Sequence, residues 1–104
     1  MGMKQQTDIP FGVRQKVMRR DSIEGAPCCI YCGSPKFIEL AHYVPRSRGG
    51  MGVESNLACL CHKCHEALDN GSDIRKARDI KMVFKDWMVR NYPGWTEEGQ
   101  VYRK

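Results

Sequence analysis

Residues 54–65 read ESNLACLCHKCH. The apolar run Leu57 to Leu60 suits a short strand, and the residues after it suit the first turn of a helix. Between the two stand Cys61-His-Lys-Cys64 and a further histidine, His65. A two-residue gap between cysteines makes a tight knuckle that aims both sulfurs at one tetrahedral zinc. A second pair, Cys29-Ile-Tyr-Cys32, lies upstream, with 28 residues between the pairs. Cys29, Cys32, Cys61 and Cys64 complete four-coordination and leave no open position, so the expected zinc is structural. It would tie the upstream knuckle to the start of a helix, across the hairpin between them. Cys28 competes with Cys29 for this place, and Cys29 is preferred because it gives the two-residue gap. Cys59 reads as a small core residue within a strand. His62 reads as an exposed side chain, with ligand exchange as the alternative.

The chain has 104 residues, enough for one domain and too few for two. A domain of this size buries only about 65% of its unfolded surface, so a metal staple has a purpose here. No apolar run approaches the ~20 residues of a membrane span. The opening MGMKQQTDIP has no apolar core of the kind a secretory signal needs. A cytoplasmic location is expected, where thiols stay reduced, and six cysteines there suggest metal rather than disulfides. The net charge of +5 is uneven, with +4 in residues 1–50 and +1 in the remainder. That excess is compatible with a nucleic-acid partner.

The expected organisation is a flexible N-terminus over residues 1–9 and a single domain over residues 10–104. Pro10 to Arg20 reads as a short helix, with Pro in the first turn and Phe11, Val13, Val17 and Met18 as a rough apolar side. GAPCCIYCG is a turn-rich knuckle, and PKFIELAHYV is strand-like. PRSRGGMG reads as a mobile loop. Residues 62–69 read as a short helix stopped by Asn70-Gly71. Ser72 or Asp73 caps a longer helix over about residues 73–91, ended by Pro93. Its stripe of Ile74, Ala77, Ile80, Phe84, Trp87 and Met88 reads as a packing face, or alternatively as a partner surface. Trp95, Val101 and Tyr102 are expected to fold the tail onto the core.

Three residues stand where the hairpin and knuckle would fix them. His42 ends the first strand, Asn56 precedes the second, and His65 follows Cys64 directly. AHYVPRSRGG followed by ESNLACLCHKCH resembles the HNH endonucleases, members of the ββα-metal (His-Me finger) superfamily. His42, Asn56 and His65 match the H, N and H by order and spacing, and the flanking cysteine pairs match the zinc-braced branch. The resemblance covers roughly residues 14–71. TDIP, the Arg-rich first helix and the closing YPGW…VYRK make the chain similar to small phage-encoded HNH proteins. The implied fold is α+β: a small ββα-metal finger, hairpin plus helix, braced by a four-cysteine zinc site with flanking helices, its core motif near residues 28–71.

The resemblance implies metal-assisted hydrolysis of DNA phosphodiester bonds. His42 would take a proton from the attacking water, since an imidazole titrating near ~6.5 is neutral at pH 7. Asn56 would hold the His42 ring in its working tautomer, by side-chain amide or backbone carbonyl. His65 would ligate a divalent ion, Mg²⁺ or Mn²⁺. Asp69, four residues further on the same helix face, is a candidate second ligand, or an ordinary helix-end carboxylate. Many family members carry Asp or His just before the base, where this chain has Ala41. Glu39 would face away from His42 on a strand. Arg46 and Arg48 suit phosphate oxygens, Gly49 and Gly50 would let the backbone approach a groove, and Arg14, Lys16, Arg19 and Arg20 would extend the contact. For each arginine the alternative is a solvated surface charge. The reading in a different class is a non-catalytic zinc module that binds DNA or protein. Similarity to the phage proteins also implies the packaging terminase as a partner, with the stripe of the long helix as docking face. A monomer or weak dimer is expected.

Overall fold

The protein is described from a computed structural model that covers residues 9–102. Apart from Ile9, the N-terminus expected to be flexible lies outside the described residues, as do Arg103 and Lys104. Ile9 itself packs against the core. Among the described residues no helix is long and apolar enough to cross a membrane.

Helix α1 (Phe11–Arg20) starts directly after Pro10, whose fixed φ of −64° suits a helix entry. Val17 is fully buried, with Val13 and Met18 packed beside it, whereas Phe11 is 70% exposed and lies off the apolar side. Strands β1 (Ser22–Ile23) and β2 (Ala26–Pro27) then form a small antiparallel hairpin where the sequence suggests only a turn. Its two loop residues, Glu24 and Gly25, both have positive φ (51° and 84°), the backbone of a tight primed turn.

The central element is the antiparallel hairpin of β3 (Ile38–His42) and β4 (Leu57–Cys61), paired from Ile38↔Cys61 to His42↔Leu57. Alternation divides its side chains. Leu40, Leu57 and Cys59 meet α1, while Ala41, Ala58 and Leu60 belong to the core shared with the other helices. Every residue of β4 is buried, as expected of a strand covered on both faces. Helix α2 (His62–Asp69) follows β4 without a loop, and α3 (Ile74–Asn91) begins at Asp73, whose Oδ1 accepts from Lys76 N at 3.1 Å. Ile80, Phe84 and Met88 are fully buried, so most of the α3 stripe is a packing face and offers no docking surface. Ile74, the first member of that stripe, is 72% exposed.

The tail packs back as expected. Trp95 and Val101 join the core, and only Tyr102 remains outward. The 43–56 connection, whose stretch over residues 45–52 is expected to be mobile, is tied down along its length. Trp95 Nε1 donates to Ser55 O at 2.6 Å, Met51 N to Gln100 O at 2.9 Å, and Tyr102 N to Gly49 O at 2.8 Å. Gly50 is buried beneath Val44, and a Cβ there would lie 1.7 Å from Val44 O. Its lack of a side chain therefore serves chain packing, not approach to a groove.

A second polar knot was not foreseen. The Asp21 carboxylate is buried and accepts from Arg20 Nε (2.6 Å), Trp87 Nε1 (2.8 Å) and Cys59 N (2.9 Å), joining α1, α3 and β4. Arg20 also donates to Leu57 O (2.6 Å), Glu54 O (2.8 Å) and Tyr92 Oη (2.9 Å). Burial alone would lower the Arg20 pKa, but the Asp21 and Tyr92 contacts raise it overall. This guanidinium is committed to the fold and does not extend a DNA-binding surface.

Candidate active site and metal centre

The two knuckles meet as their spacing requires. The donor atoms of Cys29, Cys32, Cys61 and Cys64 all lie within 4.8 Å of one another. The Cys32 and Cys61 sulfurs are 3.6 Å apart, against about 3.8 Å for two corners of a tetrahedron with Zn–S bonds of ~2.3 Å. Burial pushes the Cys29 thiol up, but backbone N–H groups of Cys32, Cys61 and Tyr31 outweigh it and bring the pKa down to about 7. Burial and the neighbouring thiols push Cys64 well up. Such a group carries four thiolates only when a cation neutralises them, so the donor set fits zinc. Cys28 stands outside the group, its Sγ donating to Ala26 O at 3.2 Å. Cys59 is fully buried and its thiol is pushed up to about 12, mainly by burial, as suits an inert core residue.

The knuckle at Cys61–Cys64 also starts α2, and so fixes His62, His65 and Asp69 on about two turns of helix. Both ring nitrogens of His65 are engaged. Glu39 Oε1 lies 2.7 Å from Nδ1, and Asp69 Oδ2 lies 3.0 Å from Nε2. The second separation matches about 3.0 Å between adjacent ligands of an octahedral ion with bonds of ~2.1 Å. His65 Nε2 and Asp69 Oδ2 are thus an i,i+4 pair that could hold a small divalent cation between them, with Nδ1 left to face Glu39. The other Glu39 oxygen lies 2.8 Å from Nδ1 of the exposed His62. Hydrogen bonds from His62, then His65, hold the Glu39 carboxyl below its ordinary value, and the same contact raises His62. Glu39 faces α2, where its carboxylate meets both histidines. Its pairing with two histidines is a link the sequence did not reveal, although its shared strand face with Ala41 was the available signal.

His42 ends β3, and strict alternation would turn it towards α1 with Leu40. Instead it lines an open cavity of about 370 Å³ with Pro45, Leu68, Asp69, Arg78 and Lys81, between the 43–56 connection, α2 and α3. A strand's last residue is no longer held to either face, and the local twist decides where it points. Asp69 also lines the adjoining recess with Glu39 and His65, so it stands between the two histidines. Ala41 is fully buried beneath the helices and contributes packing alone.

Asn56 is fully buried. Its Oδ1 accepts from Val44 N at 2.9 Å, and Nδ2 donates to Val44 O at 3.2 Å and Met51 O at 2.9 Å. Its own carbonyl accepts from Tyr43 N at 2.8 Å. Both amide protons go to main-chain carbonyls beyond His42. The residue clasps the connection that leaves the strand and fixes the backbone beside the ring, whereas the resemblance implies a hold on the ring itself. Arg14, Lys16, Arg19, Arg46 and Arg48 are exposed. Lys81, overlooked in the sequence, is half-buried: its ammonium donates to Tyr43 O and sits 4.2 Å from the centre of the Tyr43 ring. Burial lowers its pKa, with nearby Arg48 adding to the effect and Glu97 and Asp69 opposing it.

Residues 29–71 match the family model of the HNH endonuclease. The match to an HNH endonuclease domain runs from the first knuckle to Gly71 and encloses His42, Asn56, His65 and Asp69. Such a domain implies a nuclease-type function, and its four cysteines are placed to hold a metal ion. No curated protein matches the chain.

Proposed function

We propose that the protein is a metal-dependent endonuclease that hydrolyses phosphodiester bonds in DNA. The supporting observation is the placement of Asp69, which shares one cavity with His42 and pairs with His65 Nε2 at 3.0 Å. In this reading His42 is the base that takes a proton from the attacking water. His65 and Asp69 hold a Mg²⁺ or Mn²⁺ ion, which when bound offsets charge on the phosphate and the leaving oxygen. Glu39 orients the His65 ring, and Asn56 keeps the connection after His42 in place. Arg46, Arg48, Arg14 and Arg19 meet flanking phosphates. The zinc on Cys29, Cys32, Cys61 and Cys64 takes no part in the chemistry. One site per chain cuts one strand per binding event. Similarity to small phage-encoded HNH proteins makes the packaging terminase the partner to test by pull-down.

The competing reading is a non-catalytic zinc module that binds DNA or protein. Ala41 favours it, because the residue before the base offers no ligand and is buried. Cleavage of supercoiled plasmid separates the two. Zinc-loaded wild type is compared with His42→Ala, each with no added divalent ion, with Mg²⁺ and with Mn²⁺. The nuclease reading expects metal-dependent nicking by wild type and a loss of about 10²- to 10⁴-fold in the variant, with zinc content unchanged. Equal cutting by both proteins would remove His42 from the mechanism, and no cutting by either would favour the binding module.

A further inference from the structure

Lys81 occupies an unusual position for a lysine. It lies on α3 directly after the fully buried Ile80, and it is half-buried although the long side chain could reach solvent. Among the described residues, no carboxylate lies within ion-pair distance of its ammonium. The groups that hold it are neutral: the Tyr43 carbonyl and the face of the Tyr43 ring, one residue after His42. An ammonium has three protons to donate, and the carbonyl takes one. A partly desolvated cation with no anion beside it is costly to keep for packing alone, since a neutral side chain would fill the same space. The same cavity wall carries Arg78, three residues earlier on α3, with His42 and Asp69 across the opening. Among the described residues that line it, Asp69 is the one carboxylate. If a divalent ion takes up that carboxylate, the cavity presents two cations beside the His42 imidazole.

We propose that Lys81, assisted by Arg78, is the phosphate-binding group of the His42 cavity. Its ammonium donates to a non-bridging oxygen of the phosphodiester seated beside the base. This rests on the nuclease reading and adds a substrate contact to it. The Tyr43 ring and carbonyl aim the ammonium, and burial in the cavity wall strengthens its attraction for phosphate. Because α3 lies beyond residue 71, this contact comes from outside the matched HNH segment.

The test compares Lys81→Met, which keeps most of the stem, with Lys81→Arg, which restores a cation. Melting temperature and zinc content establish that both variants fold. Binding of a short DNA duplex by the zinc-loaded protein is followed by fluorescence anisotropy, with no Mg²⁺ or Mn²⁺ added and no chelator, over a salt series in the His42→Ala background. The proposal expects the slope of log K against log salt to fall by about 0.9 for Lys81→Met and to recover for Lys81→Arg. With His42 present, cleavage by Lys81→Met should drop at least tenfold at saturating DNA, with partial rescue by Arg. An unchanged salt slope and an unchanged cleavage rate would overturn the proposal. So would unfolding of both variants, which would make Lys81 a structural residue. If wild type does not cleave but the salt slope falls, the phosphate contact stands and the nuclease reading fails. If wild type cleaves and Lys81→Met matches it, the proposal is overturned.

Discussion

The two ends of the β3–β4 hairpin carry different side-chain chemistry, one closed and one open. At the Ile38↔Cys61 end, four donors of one kind converge and can saturate a single ion. At the His42↔Leu57 end, about 13 Å away along the strand, His42 faces an open cavity and a mixed set of groups: a carboxylate, an ammonium and a guanidinium. Between them Ala41, Ala58 and Leu60 are fully buried, so the two ends are joined by close-packed chain. A saturated site can only hold the protein together. An unsaturated one keeps positions open, and depends on the other end for its precision.

The largest effect expected from breaking this division is at the closed end. Cys64→Ser, or stripping metal with a strong chelator, should unfold the domain. Structural zinc in small domains contributes about 10–16 kcal/mol, as much as the whole net stability of such a chain. Circular dichroism and metal analysis read the result directly. A Cys64→Ser protein that melts like wild type without zinc would show that the hairpin does not need its brace.

Next in size is the knot between the two ends. Removing the Asp21 carboxylate in Asp21→Ala leaves the Arg20 guanidinium, the Trp87 indole N–H and the Cys59 amide without their shared acceptor. The expected cost is about 3–5 kcal/mol, the range for breaking a buried ion pair from one side. Urea unfolding measures it. A loss under about 1 kcal/mol would mean that water replaces the carboxylate and that α1 is held by its apolar contacts alone.

What the sequence revealed and what it hid follow the same division. The four-cysteine site was legible because a two-residue gap fixes two sulfurs by covalent geometry. Helix α2 was legible to the residue, since it starts at that knuckle and stops at Asn70. The β3–β4 hairpin followed from its apolar runs. Side-chain destinations set across long sequence separations were not legible. Arg20 has the composition of a surface arginine, and only its partners at residues 54, 57 and 92 show that it turns inward. Gly49 and Gly50 read as flexibility because nothing local announces the tail that covers them. The β1–β2 hairpin was missed because two-residue strands carry too little pattern to register. At the site, the placement of His65 and Asp69 on one face of α2 followed from helix spacing, but the pairing of Glu39 with both α2 histidines and the part of Asn56 as a loop clasp needed three dimensions.

The smallest effect tests whether the open end can be tuned without disturbing the fold. Glu39→Gln keeps the shape but weakens the hydrogen bond that orients His65. Substituting such a partner of a metal-binding histidine costs about 10- to 100-fold in metal affinity or activity, so Mg²⁺ or Mn²⁺ titration of cleavage should shift by that factor. Zinc content should not move. The effect on melting temperature should be slight, because the Glu39 side chain stays 40% exposed, and its pH dependence has a definite sign. Glu39 is held below its ordinary 4.5, so its contribution is present above that value and is lost as pH falls through the lowered one. His62 is raised above its ordinary 6.5, so its contribution is present below that value and is lost as pH rises through the raised one. The difference in melting temperature between wild type and Glu39→Gln should therefore be greatest between pH 4.5 and 6.5 and shrink as pH rises further. A difference that grows with pH would place the stabilising charge elsewhere. If metal affinity then held at the wild-type value, His65 would be oriented by α2 alone and the open end would need no support from β3.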